Sequence, residues 1–183
     1  EAAKGADRAT GLECHRVAAE QLVISGRIAP GQAALEELLT EIGVASPKTP
    51  RGSVASLLWN RARVRIRGLG FRERHRREIA DAAMLVLEVL KAAATSLAMI
   101  DAIRGMDFQT RHLRMALQTG HRQYIERALL IESMFYATSS NPKRANQLLD
   151  HALEIGADPN DPYVGGVIAG AQGANDYFGG DAA

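Results

Sequence analysis

Eight arginines crowd into residues 61 to 77: Arg61, Arg63, Arg65, Arg67, Arg72, Arg74, Arg76 and Arg77 stand against Glu73 alone, a formal +7. Guanidinium groups at this density either neutralise phosphates or form bidentate bonds with carboxylates. Trp59, the only tryptophan, stands just before this stretch and Phe71 within it, and both offer faces for stacking. Over the whole chain, 22 Lys plus Arg meet 21 Asp plus Glu. The basic character is therefore local, and it argues for an anionic partner or for internal ion pairs. A second polar set is Arg104, Asp107, Arg111 and His112, in which Asp107 and Arg111 are one helical turn apart. Such a set either presents a polar face inside a groove or clamps neighbouring helices. The clamp is the favoured reading, and it requires every buried partner to be satisfied.

Other residue patterns fall short of a reaction. Residues 68–73, G-L-G-F-R-E, begin like a kinase glycine-rich loop, but Glu73 occupies the third glycine position and no V-A-I-K, H-R-D or D-F-G follows. Residues 165–173, G-G-V-I-A-G-A-Q-G, lack the G-K-[ST] ending of a phosphate-binding loop, so close helix packing explains them better. His15, His75, His112, His121 and His151 have no metal-ligand spacing and are expected at the surface or between helices. Cys14 is the only cysteine, which excludes an intrachain disulfide and fits a reducing compartment; a small buried thiol is the expected role. No catalytic residue, metal or cofactor is expected, and no segment reads as a membrane span.

The elements that must position these residues are helices. Residues 2–25 and 30–43 form two helices split at Ser25-Gly26, with Leu12, Ala18, Ala19 and Leu22 on the first and Leu35, Leu38 and Leu39 on the second. Thr49 caps a third helix with Pro50 at its first position. Along it, Ala55, Leu58, Ala62, Ile66 and Leu69 share one narrow face bordered by Trp59, the seam by which a repeat helix packs. Gly68 and Gly70 interrupt it, leaving residues 71–77 as an irregular basic connection. From about Glu78 a helix apolar on most of its surface runs to Ile100 and is expected to be central. Residues 101–117 continue as helix or restart after Gly105. Residues 122–138 and 143–155 follow, separated at Asn141-Pro142, and a last helix begins near Tyr163.

Helix, short turn, helix, longer turn along the whole chain predicts an all-α, right-handed solenoid of antiparallel helix hairpins. The hairpins fall at about 2–43, 50–103, 104–138 and 126–159, with a final unpartnered helix at 162–179. In residues 126–159, Leu129, Tyr136, Ala145, Leu149 and Ala152 occupy spacings at which a tetratricopeptide repeat alternates large and small residues, with Ser133 where Gly or Ala is favoured. Ala174 and Tyr177 restart the theme, and Gly180 stands where the next turn would fall. The missing initiator Met and the unpartnered last helix suggest a piece of a longer array, with an edge that frays or associates.

Several strings run nearly in register with a known family: residues 18–26 (A-A-E-Q-L-V-I-S-G), 47–50 (P-K-T-P), 57–59 (L-L-W), 61–63 (R-A-R), 67–74 (R-G-L-G-F-R-E-R), 103–113 (I-R-G-M-D-F-Q-T-R-H-L) and 161–163 (D-P-Y). On these the chain resembles the tetratricopeptide-like helical-repeat tail of large bacterial multidomain serine/threonine protein kinases, which also carry a predicted ATPase module. Residues 75–100 depart from that family: 75–84 (H-R-R-E-I-A-D-A-A-M) differs from its more acidic, Pro-containing linker, and the helix that follows is richer in Ala. The resemblance implies a cytoplasmic, non-catalytic scaffold segment of a signalling kinase, whose partner is a protein, a peptide or another module of the same parent. It carries over no catalytic residue. The alternative is a nucleic-acid-binding helical repeat using the Arg61–Arg77 cluster.

Overall fold

The computed structural model describes residues 2–139 and 141–179, with side chains from residue 10 onward except at 140, 175, 178 and 179. Among these residues the chain is helical throughout, with no strand. The helices are α1 (Ala2–Ile24), α2 (Ile28–Glu41), α3 (Pro50–Arg67), α4 (Asp81–Ala98), α5 (Ala102–Thr119), α6 (Arg122–Thr138), α7 (Pro142–Glu154) and α8 (Pro162–Gly179); a 3-10 turn at Arg76–Glu78 precedes α4. The residues group into two compact units, one of 1–69 with 77–112, the other of 70–76 with 113–183. The Gly180 turn lies outside the described residues.

Local chemistry explains the boundaries. α1 ends where Arg27 N–H returns to the Leu22 carbonyl at 2.9 Å and Gly26 N–H to Val23 at 3.0 Å, the bonding of a helix C-cap motif. α3 starts at Thr49, whose hydroxyl accepts from Gly52 N–H at 3.1 Å, with Pro50 at the first helical position. Asn141 caps α7 in the same way, accepting from Arg144 N–H at 3.2 Å. Asp161 caps α8 through the N–H groups of Tyr163 and Val164 at 2.9 and 3.0 Å. The helix expected near Glu78 begins instead at Asp81, because residues 76–78 close into the 3-10 turn first.

In the first unit, α1 packs on α2, and both lie against α4. α4 is the centre: Met84, Leu87, Val89, Leu90, Ala93 and Leu97 are all buried. α5 begins at Ala102, ahead of Gly105 rather than after it. A Cβ on Gly105 would sit 2.7 Å from both the Cα and N of Ala98, so glycine lets α5 leave α4 by a short turn. In the second unit, α6 pairs with α7, and α8 packs on both. Leu129, Ala145, Leu149 and Ala152 are buried at this contact. Ser133 is also fully buried, with its hydroxyl donating to the Leu130 carbonyl at 2.6 Å, so a polar residue is accommodated in a small-residue position.

Candidate functional site

α3 is the helix on which the candidate residues meet, and its orientation corrects the expected seam. Leu58 is 61% exposed, Trp59 64% and Ile66 87%, and Ala55 and Ala62 are also exposed. The face turned inward is Ser53, Leu57, Asn60 and Val64. The physical reason is a buried polar network. Asp107 of α5 is fully buried; its carboxylate accepts from Ser56 Oγ at 2.9 Å and from Asn60 Nδ2 at 2.9 Å. Arg111 Nη2 pairs with the same carboxylate at 2.8 Å and also donates to Ser56 Oγ at 2.7 Å. Arg111 Nη1 reaches the Ala45 carbonyl at 2.6 Å, and its guanidinium lies 4.9 Å from the centre of the Phe108 ring. A buried carboxylate without these donors would cost several kcal/mol. Satisfying it requires the Ser56/Asn60 side of α3 to face α5, and the Leu58/Ile66 side then faces out.

The four residues of the second polar set separate into three environments. Asp107 and Arg111 form the network just described. Arg104 pairs with Glu36 and donates to Ser46 Oγ at 2.7 Å, tying α5 to α2 and to the segment after it. This pair borders an open cleft of about 360 Å³ that Lys48, Thr49 and Asp101 also line. His112 stands apart, 2% exposed, and neither ring nitrogen has a hydrogen-bond partner among the described residues. Burial, and then the Lys91 charge, hold its pKa down at about 4, against a smaller opposing effect of Glu88. His112 is therefore a neutral core residue.

The arginine cluster is likewise divided. Arg61 is half-buried and directs Nη2 at Met106 Sδ, 3.6 Å away. Arg63 and Arg65 are exposed on α3 and have no carboxylate partner among the described residues. Arg67 donates to the Gly68 carbonyl at 3.2 Å. In the second unit, residues 70–76 are anchored on the end of α5: Arg74 N–H donates to the Gly120 carbonyl at 2.9 Å, and Glu73 lies 3.8 Å from Arg122. A Cβ on Gly120 would fall 2.1 Å from the Arg72 carbonyl oxygen, and the residue holds φ at +76°. The side chains of Arg72, Arg74, Arg76 and Arg77 are exposed. Three glutamates of the same unit pair outside the cluster: Glu36 with Arg104, Glu88 with Lys91, and Glu41 with His15 at 4.0 Å.

Comparison with protein-family models, curated proteins and solved structures gives no significant match. Cys14 is exposed rather than buried, because it lies on the side of α1 opposite Leu12, Ala19 and Val23. Among the described residues no three His, Cys, Asp or Glu side chains are grouped to hold a metal ion. No described helix is long and apolar enough to cross a membrane. The feature that sequence reasoning missed is the inward role of Ser56 and Asn60. Their spacing of four residues on the polar side of α3 was the available signal.

Proposed function

We propose that this chain is a non-catalytic, tetratricopeptide-like helical-repeat segment that binds other proteins, working as an interaction scaffold within a larger cytoplasmic signalling protein of the bacterial serine/threonine kinase type. The observation that carries the interaction role is the outer face of α3. Leu58, Trp59 and Ile66 stand in solvent on a helix whose inner face is already committed to Asp107. Full burial of side chains of this size stabilises by about 1.5–3 kcal/mol each, so leaving three of them outside is costly in an isolated chain and useful in one that docks a partner. The repeat reading is supported by the second unit. There α8 follows the α6–α7 hairpin and packs against it, and Ala145 and Ala152 of α7 are buried. The kinase context rests on the resemblance of residues 67–74 and 103–113.

Hydrogen-exchange mass spectrometry tests the role. A panel of amphipathic helical peptides with acidic, neutral and basic flanks is offered to the chain, with a mixed-sequence oligonucleotide at low salt as the competing class. Protection of a helical surface by at least one peptide is the expected result. Protection by the oligonucleotide alone would replace this function with nucleic-acid binding, whose affinity would fall steeply with salt. No protection by any peptide refutes the scaffold role.

A further inference from the structure

Helical periodicity of ~100° per residue spreads Leu58, Ala62, Ala55, Ile66 and Trp59 over an arc of about 100° on the outside of α3. Arg65 lies about 20° beyond one edge of that arc and Arg63 about 40° beyond the other. Both arginines are exposed. Within α3 there is no Asp or Glu, so no charge of opposite sign on the helix itself offsets them. The face thus has an apolar middle from Ala55 onward, with Arg51 within the arc at its N-terminal end and Arg65 and Arg63 along its two sides.

From this we infer that the outer face of α3 docks an amphipathic helix of a partner polypeptide bearing Asp or Glu along both edges of its own apolar stripe. The inference rests on the interaction role proposed above and names the chemistry of the partner. Relief on the face favours a helix. Leu58, Ala62 and Ile66 follow each other at intervals of four, a row of the kind that packs into the groove of a second helix. Acidic residues on the partner's edges then meet Arg63 and Arg65 at the rim, where such contacts select the partner and speed encounter.

Other occupants fit less well. A second copy of α3 would set arginine against arginine. A phosphate backbone needs a row of cations along the middle of the face, where Arg51 stands alone at one end and Ala55, Leu58, Ala62 and Ile66 fill the rest. Insertion into a bilayer would carry Arg51, which lies inside the arc of the stripe about 30° from its middle, to the depth of the apolar side chains.

Trp59 is the only tryptophan and lies in the stripe, so its fluorescence reports docking directly. The probe is a Trp-free helical peptide of about 18 residues, the length of α3, with a Leu/Ala stripe and Glu on both flanks. Its twin carries Lys in place of Glu. The Glu peptide is expected to blue-shift Trp59 emission and the Lys peptide to leave it unchanged. Arg63→Glu/Arg65→Glu is expected to weaken the Glu peptide at least about tenfold and to gain binding of the Lys peptide. Circular dichroism establishes that the variant keeps its helix content. Failure of the Glu peptide to shift Trp59, equal binding of both peptides, or an unchanged affinity in the double variant overturns the inference. Exchange protection by a peptide on helices other than α3 overturns it while leaving the scaffold role standing. A Trp59 shift produced by anionic phospholipid vesicles or by the oligonucleotide, and not by the Glu peptide, overturns it in favour of a membrane surface or a nucleic acid.

Discussion

Arg111→Ala separates a clamp from a binding groove by stability alone. In the folded chain the Asp107 carboxylate is fully buried and the Arg111 side chain is 14% exposed, so solvent screens their 2.8 Å contact only weakly. Removing the guanidinium leaves the carboxylate with Ser56 and Asn60 as donors and with no compensating cation. Breaking one side of a buried ion pair costs about 3–5 kcal/mol, and the bond to the Ala45 carbonyl is lost at the same time. With a urea m-value of about 2 kcal/mol/M, the unfolding midpoint should fall by roughly 2 M. Arg111→Lys keeps the charge and loses the planar fork, so its loss should be smaller. Adding Asp107→Asn to Arg111→Ala should recover part of the loss, because a neutral amide needs no countercharge. Urea unfolding followed by circular dichroism reads all of these. A change within about 0.5 kcal/mol for Arg111→Ala, or no recovery in the double variant, would refute the clamp.

Three further outcomes follow from the same geometry. His112 is held neutral, with a pKa of about 4 in the fold against 6.5 when unfolded; the unfolded chain therefore binds more protons between these values, and stability is full above pH 6.5 and lost as pH falls towards 4. The loss attributable to His112 should be about 2 kcal/mol at pH 5, read as the difference in pH dependence between the native chain and His112→Gln; identical slopes would exclude it. Gly105→Ala forces a methyl against the Ala98 backbone at 2.7 Å and should cost roughly 1–3 kcal/mol in thermal unfolding; an unchanged midpoint would show that the α4–α5 turn yields easily. Thr49→Ala removes the hydroxyl that caps α3 and should cost about 1 kcal/mol, whereas Thr49→Ser should be nearly silent in the same assay.

Helix identity was legible where a local device enforces it. Thr49-Pro50 and Asn141-Pro142 each join a capping side chain to a proline at the first helical position, and both mark helix starts in the fold. The apolar density of α4 correctly marked the centre of its unit, because a helix greasy on most sides has no orientation to get wrong. The start of α5 was less legible. Gly105 reads as a breaker by propensity, yet its missing Cβ is what the approach to Ala98 requires, and that contact is tertiary.

The orientation of α3 lies beyond periodicity for a different reason. Its sequence carries two apolar faces, Leu57 with Val64 and Leu58 with Ile66, and spacing says which residues share a face without saying which face meets the body. Hydrophobicity alone favours the Leu58/Ile66/Trp59 side, worth several kcal/mol if buried. The opposing consideration sits 47 and 51 residues away, where Asp107 accepts from Asn60 and Ser56. A buried carboxylate stripped of its donors loses stabilisation of the same order, and Ser56 and Asn60 satisfy it only when they face inward. Once that choice is made, Trp59 and its neighbours are left outside between Arg63 and Arg65. The clamp and the docking face are therefore linked. A substitution that releases Asp107 from α3 should also free the helix to turn its apolar side inward, and Trp59 emission should shift to the blue in Asp107→Leu without any peptide. Unchanged Trp59 emission in a folded Asp107→Leu chain would break that link.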